Sequence, residues 1–353
     1  MKNSRKWSFS VAILLASVTL VISACAPASA PAPAPQKTAP EPAVPTGPAA
    51  AKAKLDVITV SAFTPNVVQL PLYAAIRKGF FERENLKIDQ VIASGSAQVW
   101  QVLMSKDAQV VFGGWDPALV ANEKGSDFVI VLGSARNLMY SFIVRSEIKS
   151  LQDLKGKSIG VSSLGVSRDP WLIRRTMRPE GINDNEYDLV AVGGSAGRLS
   201  ALQSGAIAAG YLSQPEDFVA NDAGFPKLFD ISKYIPQYEW MVHTVSREWA
   251  KQNSDKVKRY IRALRDVLPW IYDPKNKEEV IDVLVKDMKG KERAARQSYD
   301  LYVPNKLFST GELDPVGVKQ VVDSTVEIGM ISKVPTTESF TDMSYLEQVK
   351  KGQ

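Results

Sequence analysis

Residues 187–215 read "YDLVAVGGSAGRLSALQSGAIAAGYLSQP". "YDLVAVGG" is a short run rich in valine and apolar residues that ends on a glycine pair, which predicts a strand and a turn. "SAGRLSALQSG" then opens on a small polar residue and closes on glycine, as a helix does. "AIAAGYLS" is a second, apolar strand before "QP" breaks it. A strand, a helix and a strand in under thirty residues is the unit of a parallel sheet with helices packed on it.

The same rhythm runs outward in both directions. Upstream, "LDVITVSAF", "LKIDQVIA", "AQVVFGG" and "DFVIVLGS" read as strands. "LPLYAAIRKGFFERENL", "SGSAQVWQVLMSK" and "WDPALVANEKG" read as the helices between them, the first with Pro71 in its first turn and Gly79 as its stop, the last with Asp116 as N-cap and Pro117 at the first helical position. From "YSFIVRS" the rhythm starts again. "SLQDLKGK" reads as a short capped helix, "SIGVSS" as a strand, "DPWLIRRTM" as a helix ended by Pro179 and Gly181, and "QPEDFVANDAG" as the last helix of this set. After "EWMVHTVS", a further strand, apolar residues recur at three- and four-residue spacing in "SDKVKRYIRALRDVLPWIYD", "KEEVIDVLVKDM", "ERAARQSYDLYV" and "DPVGVKQVVDSTVEIGM". These helices have no sheet of their own and are expected to pack back on the first lobe. The expected layout is lobe 1 over 55–145, lobe 2 over 146–240, and a return to lobe 1 over 241–353, with "YSFIVRS" and "EWMVHTVS" crossing as hinge strands.

The chain has 353 residues, 45% of them hydrophobic and 23% charged. That is the make-up of a globular protein large enough for two lobes. Of the formal charge of +5, Lys2, Arg5 and Lys6 lie in residues 1–24, which carry no acid, so the remainder is +2. Near-neutrality, without a Lys/Arg cluster carrying interleaved aromatics, excludes a nucleic-acid footprint. There is no C-x-x-C or His-rich spacing for a metal and no motif for a cofactor.

The single cysteine, Cys25, sits in "LVISACAPASAPAPAPQ" at 20–36. A basic start and the short apolar run Phe9–Ile22 precede it, too short to span a membrane and suited to a secretory signal over 1–24. "ISAC" resembles the lipobox of bacterial lipoproteins, which implies lipid on Cys25. A plain signal peptide or an ordinary buried cysteine is the alternative. Residues 25–54 are an Ala/Pro-rich tether with too few apolar side chains to fold.

Four turns that follow strands are rich in small polar residues: Ser61–Asn66, Ser94–Gln98, Ser162–Arg168 and Gly193–Gly197. In open α/β sheets ligands sit beyond the carboxyl ends of the strands, facing helix N-termini. Thr64, Asn66, Ser94, Gly95, Ser96, Ser163, Ser167, Gly194 and Ser195 are therefore candidate ligand contacts, against the alternative that they only cap helices. Arg168 is a candidate anion clamp or a surface ion pair. Trp115 is a candidate pocket wall, and Asp116 meets an amine or caps its helix. Gln214 bonds ligand or merely starts a helix. Tyr140 and Trp240, on the crossing strands, can line the cleft, and Arg136 and Asn137 can border it. Trp171, Trp249 and Trp270 fall in helical patterns and read as core.

The order and spacing of "PLYAAIRKGFFERENLKID", "SGSAQVWQVLMSKDAQVVFGG", "LQDLKGKSIGV" and "VAVGGSAGRLSALQSGAIAAGYLSQP" resemble the solute-binding proteins of ABC importers. The branch is the one that includes nitrate, sulfonate, taurine and thiamine-precursor binders. The resemblance implies an α/β fold of the type II periplasmic-binding-protein kind, two lobes joined by two hinge strands, acting as a monomer. It implies capture of a small anionic or zwitterionic solute, or an aromatic acid, between the lobes outside the cytoplasm, for delivery to a membrane permease with a separate ATPase. Two other classes stay open: an enzyme of cofactor-precursor synthesis on the same fold, and a sensor lipoprotein presenting its ligand to a receptor. A Ser-His-Asp or Cys-His centre would have to use His243, the only histidine, which lies inside an apolar strand and reads as structural.

Overall fold

The computed structural model describes residues 54–164 and 167–352. The signal segment, Cys25 and all of the tether but Lys54 lie outside the described residues.

Ten strands form two five-stranded sheets. The first holds β1 (Asp56–Phe63), β2 (Leu86–Ala93), β3 (Val110–Gly113), β4 (Phe128–Ala135) and β10 (Met241–Ser246), in the order β2-β1-β3-β10-β4. The second holds β5 (Tyr140–Val144), β6 (Ser158–Val161), β7 (Asp188–Ala191), β8 (Ala209–Ser213) and β9 (Lys227–Asp230), in the order β7-β6-β8-β5-β9. β1 is parallel to β2 from Asp56↔Leu86 to Phe63↔Ala93 and to β3 at Val60↔Val110. β6 pairs in parallel with both β7 and β8. Each sheet then takes one strand antiparallel: β10 between β3 and β4, and β5 between β8 and β9.

This arrangement corrects one expectation. β5 and β10, expected to cross between the lobes, each lie wholly within one sheet. The chain crosses in the segments just before them, residues 136–139 and 231–240. β9, an edge strand of four residues, had no signal in the sequence because its pattern "KLFD" is too short to alternate visibly.

The helices are α1 (Leu70–Arg77), α2 (Phe80–Arg83), α3 (Ser96–Met104), α4 (Asp116–Glu123), α5 (Asp169–Met177), α6 (Ser195–Ser204) and α7 (Glu216–Asp222). The C-terminal part adds α8 (Arg247–Gln252), α9 (Ser254–Tyr272), α10 (Lys277–Asp282), α11 (Glu292–Tyr302), α12 (Pro315–Glu327), α13 (Thr337–Phe340) and α14 (Ser344–Lys350). α1 stops where expected: Gly79 takes a left-handed φ of 70°, which costs glycine little, and the chain restarts as α2. "SLQDLKGK" forms a 3-10 turn, Leu151–Leu154, closed by a capping box between Ser150 and Asp153. Asp116 is the first residue of α4 and not its N-cap; Trp115 holds that position. α9 buries Val257, Ile261, Leu264, Leu268 and Ile271 along one stripe and packs on α1, α2 and α14. α12 packs on α4, and α13 and α14 on β4, so these C-terminal helices return to the first sheet. α11 instead also touches α7 below the second sheet. Among the described residues no helix is long and apolar enough to cross a membrane.

His243 is 2% exposed in β10. Its ring stacks on Phe112 at 4.1 Å, and Nδ1 lies 2.9 Å from the Tyr260 hydroxyl. Burial holds its pKa down to about 3. The unfolded chain binds a proton near pH 6.5 that the folded chain refuses until about 3, so stability falls as pH drops through this window. We expect His243→Gln to flatten the urea-midpoint profile between pH 6.5 and pH 4 relative to wild type, with solute binding unaltered. An unchanged profile would show that this ring is not the acid-sensitive group.

Candidate functional site

The carboxyl ends of β1, β2, β6 and β8 point at one another across a cavity between the two sheets. Phe63 ends β1, Thr64 and Asn66 follow it, and Ser94 follows β2. From the other sheet come Ser162 after β6, Ser213 at the end of β8, and Glu216 at the start of α7. Arg168 and Asp169 begin α5, and Gly194, Ser195, Ala196 and Arg198 begin α6. Tyr140 and Trp240, at the two crossings, form the floor with Met241; their rings lie 4.9 Å apart at 58°. Water centres have about 50 Å³ of room inside, several times what one water needs.

The lobes are closed on this cavity by bonds between them. The Gly194 N–H donates to Ser94 O at 3.0 Å, and the Val67 N–H to Gln214 O at 3.2 Å. Trp171 Nε1 donates to Glu327 Oε2 at 2.9 Å. The strongest bond is ionic: Arg168 Nη1, from α5, donates to Asp116 Oδ1, from α4, at 2.6 Å. Arg168 is 8% exposed and Asp116 2%. Burial works hardest against the Arg168 charge, yet Asp116 together with Tyr238, Tyr140 and Asp169 outweighs it and holds the guanidinium pKa above its ordinary value. The group lies flat against Gly114, where an added Cβ would sit 2.7 Å from Nη2. The glycine pair before Trp115 thus makes room for an arginine from the other lobe.

A second buried pair stands beside the first. Arg198 Nη1 donates to Asp169 Oδ2 at 3.2 Å, and the same oxygen accepts the Ser162 N–H at 2.7 Å. Burial raises the Asp169 pKa, but Arg198 and Arg168 outweigh it and keep the carboxyl below its usual range. Glu216 has the opposite fate. Burial pushes it up to about 7, and its Oε2 has no hydrogen-bond partner among the described residues.

Of the sequence candidates, the cavity brings together Thr64, Asn66, Ser94, Tyr140, Arg168, Gly194, Ser195 and Trp240. Asn66 also caps the turn after it, its Oδ1 accepting the Val68 N–H. Ser195 Oγ is held by the Ser213 N–H at 3.0 Å. Trp115, Asp116, Gln214, Ser163, Ser167, Gly95, Arg136 and Asn137 are not among the residues that line it. Trp115 is fully buried, stacked on Phe340 at 5.2 Å with Nε1 donating to Glu239 O. Asp116 spends its carboxylate on Arg168. Gln214 is bound on both ends of its amide, by Asp217 at 2.6 Å and Tyr302 at 3.0 Å. Ser167 Oγ pairs with Ser162 Oγ at 3.0 Å, while Ser163 Oγ is buried without a partner among the described residues. Gly95 is the buried N-cap of α3, and Ser96 opens that helix. Arg136 and Asn137 are exposed on the first crossing. Phe63, Asp169, Arg198 and Glu216 were missed. Arg198 stood in plain view within "SAGRLS", one turn into a helix; an arginine there reads as surface until the fold shows that this turn faces the cavity.

Two α/β sheets closing on a polar cavity at their carboxyl edges define a two-lobed solute-binding fold of the periplasmic type. The family profile described as NMT1/THI5 like matches residues 66–277, and the chain belongs to that family. Among curated proteins it is 21% identical over 225 residues to a formylaminopyrimidine-binding protein of Halalkalibacterium halodurans, covering 63% of this chain and 67% of that one. Among solved structures it is similar to the ligand-binding component of an ABC-type import system from Staphylococcus aureus (TM-score 0.70, 15% identity, 83% of this chain and 99% of that one). It is likewise similar to the periplasmic nitrate-binding protein NrtA from Synechocystis PCC 6803 (TM-score 0.69, 12% identity, 85% and 89%).

Removing one partner of the cross-lobe pair leaves a buried charge alone, which costs about 3–5 kcal/mol. The closed form relieves that cost by opening. We expect Asp116→Asn to raise the radius of gyration measured by small-angle scattering of the unliganded protein, and Gly114→Ala to do the same by displacing the guanidinium. The paired change Asp116→Leu with Arg168→Met should restore the compact value. Wild-type scattering from Asp116→Asn would show that the pair does not hold the lobes.

Proposed function

We propose that this protein captures a small solute between its two lobes and delivers it to a membrane permease driven by a separate ATPase. The observation that carries the reading is the cavity itself. It is closed by bonds from one lobe to the other, so closure and occupancy are coupled: a solute that touches both walls stabilises the closed form by its difference in affinity for the two states. The permease reads that form. The import-system component and the nitrate binder that share the fold support the same reading.

Chemistry on the solute is the weaker reading. The only histidine is packed between Phe112 and Tyr260 outside the cavity, so no imidazole reaches the cavity serines. The expectation that Arg168 clamps an anion also loses its support, because its charge is spent on Asp116. Arg168 is better read as part of the closing mechanism.

The N-terminal segment supplies the location. Export through the signal over 1–24 and lipid on Cys25 place the binding lobes outside the cytoplasm, on a tether from the membrane, as a monomer. Cys25→Ser should move the protein from the membrane to the soluble extracytoplasmic fraction and remove the lipid mass. A wild-type distribution would sink the anchor.

The transport reading is tested by thermal unfolding against nitrate, bicarbonate, taurine, sulfonates, aromatic carboxylates and aminopyrimidines. A bound solute at about 100 times its dissociation constant adds about 2.7 kcal/mol and raises the midpoint. A shift accompanied by a smaller radius of gyration is the expected result; no shift with any class would overturn solute capture.

A further inference from the structure

The two crossings also line a second groove, with about 590 Å³ of room for water centres. That is within the range of small-molecule sites. Met139 comes from the first crossing and Ser232 from the second. α7 and β9 of lobe 2 supply Asp217, Phe218 and Asp230, and α11 supplies Asp300 and Leu301. α11 is tied to lobe 1: it packs on the π-helical turn Val283–Asp287, which packs on α1. The groove shares only Tyr140 with the solute cavity, so a ligand held here is a second one.

The charges along this groove do not balance. Asp230 is matched by Lys227 at 2.9 Å and Asp300 by Lys277 at 3.0 Å. Both carboxylates are more than half exposed. Pairs of that kind are weak, so the two carboxylates stay open to another cation. Asp217 differs. It is 5% exposed, and its carboxyl accepts from neutral donors: Ser141 Oγ at 2.7 Å, Gln214 Nε2 at 2.6 Å and the Phe218 N–H at 2.7 Å. Among the described residues no cation stands within ion-pair distance of it. An aspartate that deep is rare without a counter-charge. Burial outweighs the three bonds and holds its pKa above the ordinary carboxylate value, so a positive charge beside it is stabilising. Met139, Phe218 and Leu301 are partly buried along the same groove. A bare cation leaves their apolar surface wet, and a cation with an apolar body covers it.

We propose that this groove is a second ligand site and that it takes an organic cation, with the charged end toward Asp217, Asp230 and Asp300 and an apolar body on Met139, Phe218 and Leu301. An anion is repelled by the same carboxylates, and an uncharged molecule leaves Asp217 uncompensated. The site goes beyond solute capture and does not depend on it. It is nonetheless connected to lobe closure through Gln214. That side chain donates to Asp217 and accepts from the Tyr302 hydroxyl of α11 at 3.0 Å, while its carbonyl accepts the Val67 N–H across the cavity rim. A ligand walled by both lobes binds with an affinity that depends on their position, and linkage makes the effect on solute affinity reciprocal.

The test is calorimetric titration of the purified protein at pH 7.5 with phenethylamine, an ammonium at this pH, against phenethyl alcohol and hydrocinnamate, its uncharged and anionic counterparts. The amine is expected to bind about tenfold more tightly than either, and less tightly as salt is raised. Asp217→Asn keeps the side-chain shape and should weaken the amine by about tenfold while leaving the alcohol unaltered. Ser232→Trp, at an exposed position on the second crossing, fills the groove without entering the buried bonds around Asp217. It should abolish amine binding, and it carries the test alone if Asp217→Asn does not fold. Alcohol or hydrocinnamate binding as tightly as the amine, or no heat with the amine, would overturn the proposal. So would an amine affinity unaltered in Ser232→Trp or in a folded Asp217→Asn. Each of these outcomes leaves solute capture standing.

Discussion

An ion pair cut off from water is costly unless each charge has the other, and Arg168 and Asp116 meet that condition only while the lobes are together. Arg168 is the N-cap of the second sheet's helix α5, and Asp116 is the first residue of the first sheet's helix α4. Within lobe 2 Arg168 has only the weaker, non-hydrogen-bonded influence of Asp169, whose carboxylate is bonded to Arg198 and Ser162. The pair therefore links a local electrostatic requirement to the global position of two sheets. The neighbouring features fall into place around it: Gly114 clears the approach, Tyr238 lies 5.7 Å below the guanidinium, and the Ser94–Gly194 backbone bond closes the rim. In open form both side chains regain water, so opening loses little. That near-balance is what a solute needs if its own contacts are to decide the equilibrium.

The second pair works differently. Arg198 and Asp169 both lie in lobe 2 and stay together whichever way the lobes move. Their part is to neutralise each other on the cavity wall and to fix the Ser162 turn through the carboxylate. One pair is thus a latch and the other a lining. Seen on a list of charges they are alike; only the lobe to which each partner belongs separates them.

How much of this the sequence showed depends on the length scale of each signal. Strand and helix alternation is written every few residues, so the two α/β lobes and most element positions were readable, including the stop at Gly79 and the structural setting of His243. The four polar turns were found because small residues at strand ends have a local signature. Asp116 was misplaced for an instructive reason. Asp before Pro at a helix start is a strong capping pattern, and nothing nearby reveals that an arginine 52 residues on will claim the carboxylate. Trp115 failed in the same way: the residue after a strand's carboxyl end was expected to face the cavity, but its ring stacks on Phe340 in the core.

The ligand class is the property least visible in a linear reading, because it depends on a sum over groups from four elements. Arg168 alone suggests an anion. Arg168 with Asp116 is neutral, and adding Arg198, Asp169 and Glu216 leaves the cavity neutral or slightly acidic. Each added residue reverses or cancels the inference from the one before. A shared fold cannot carry that sum from one relative to another, since exchanging a single buried aspartate for asparagine alters the net charge by one while leaving every strand and helix in place. Solute choice in this architecture is accordingly set by which buried charges are matched, and not by how many arginines face the cleft.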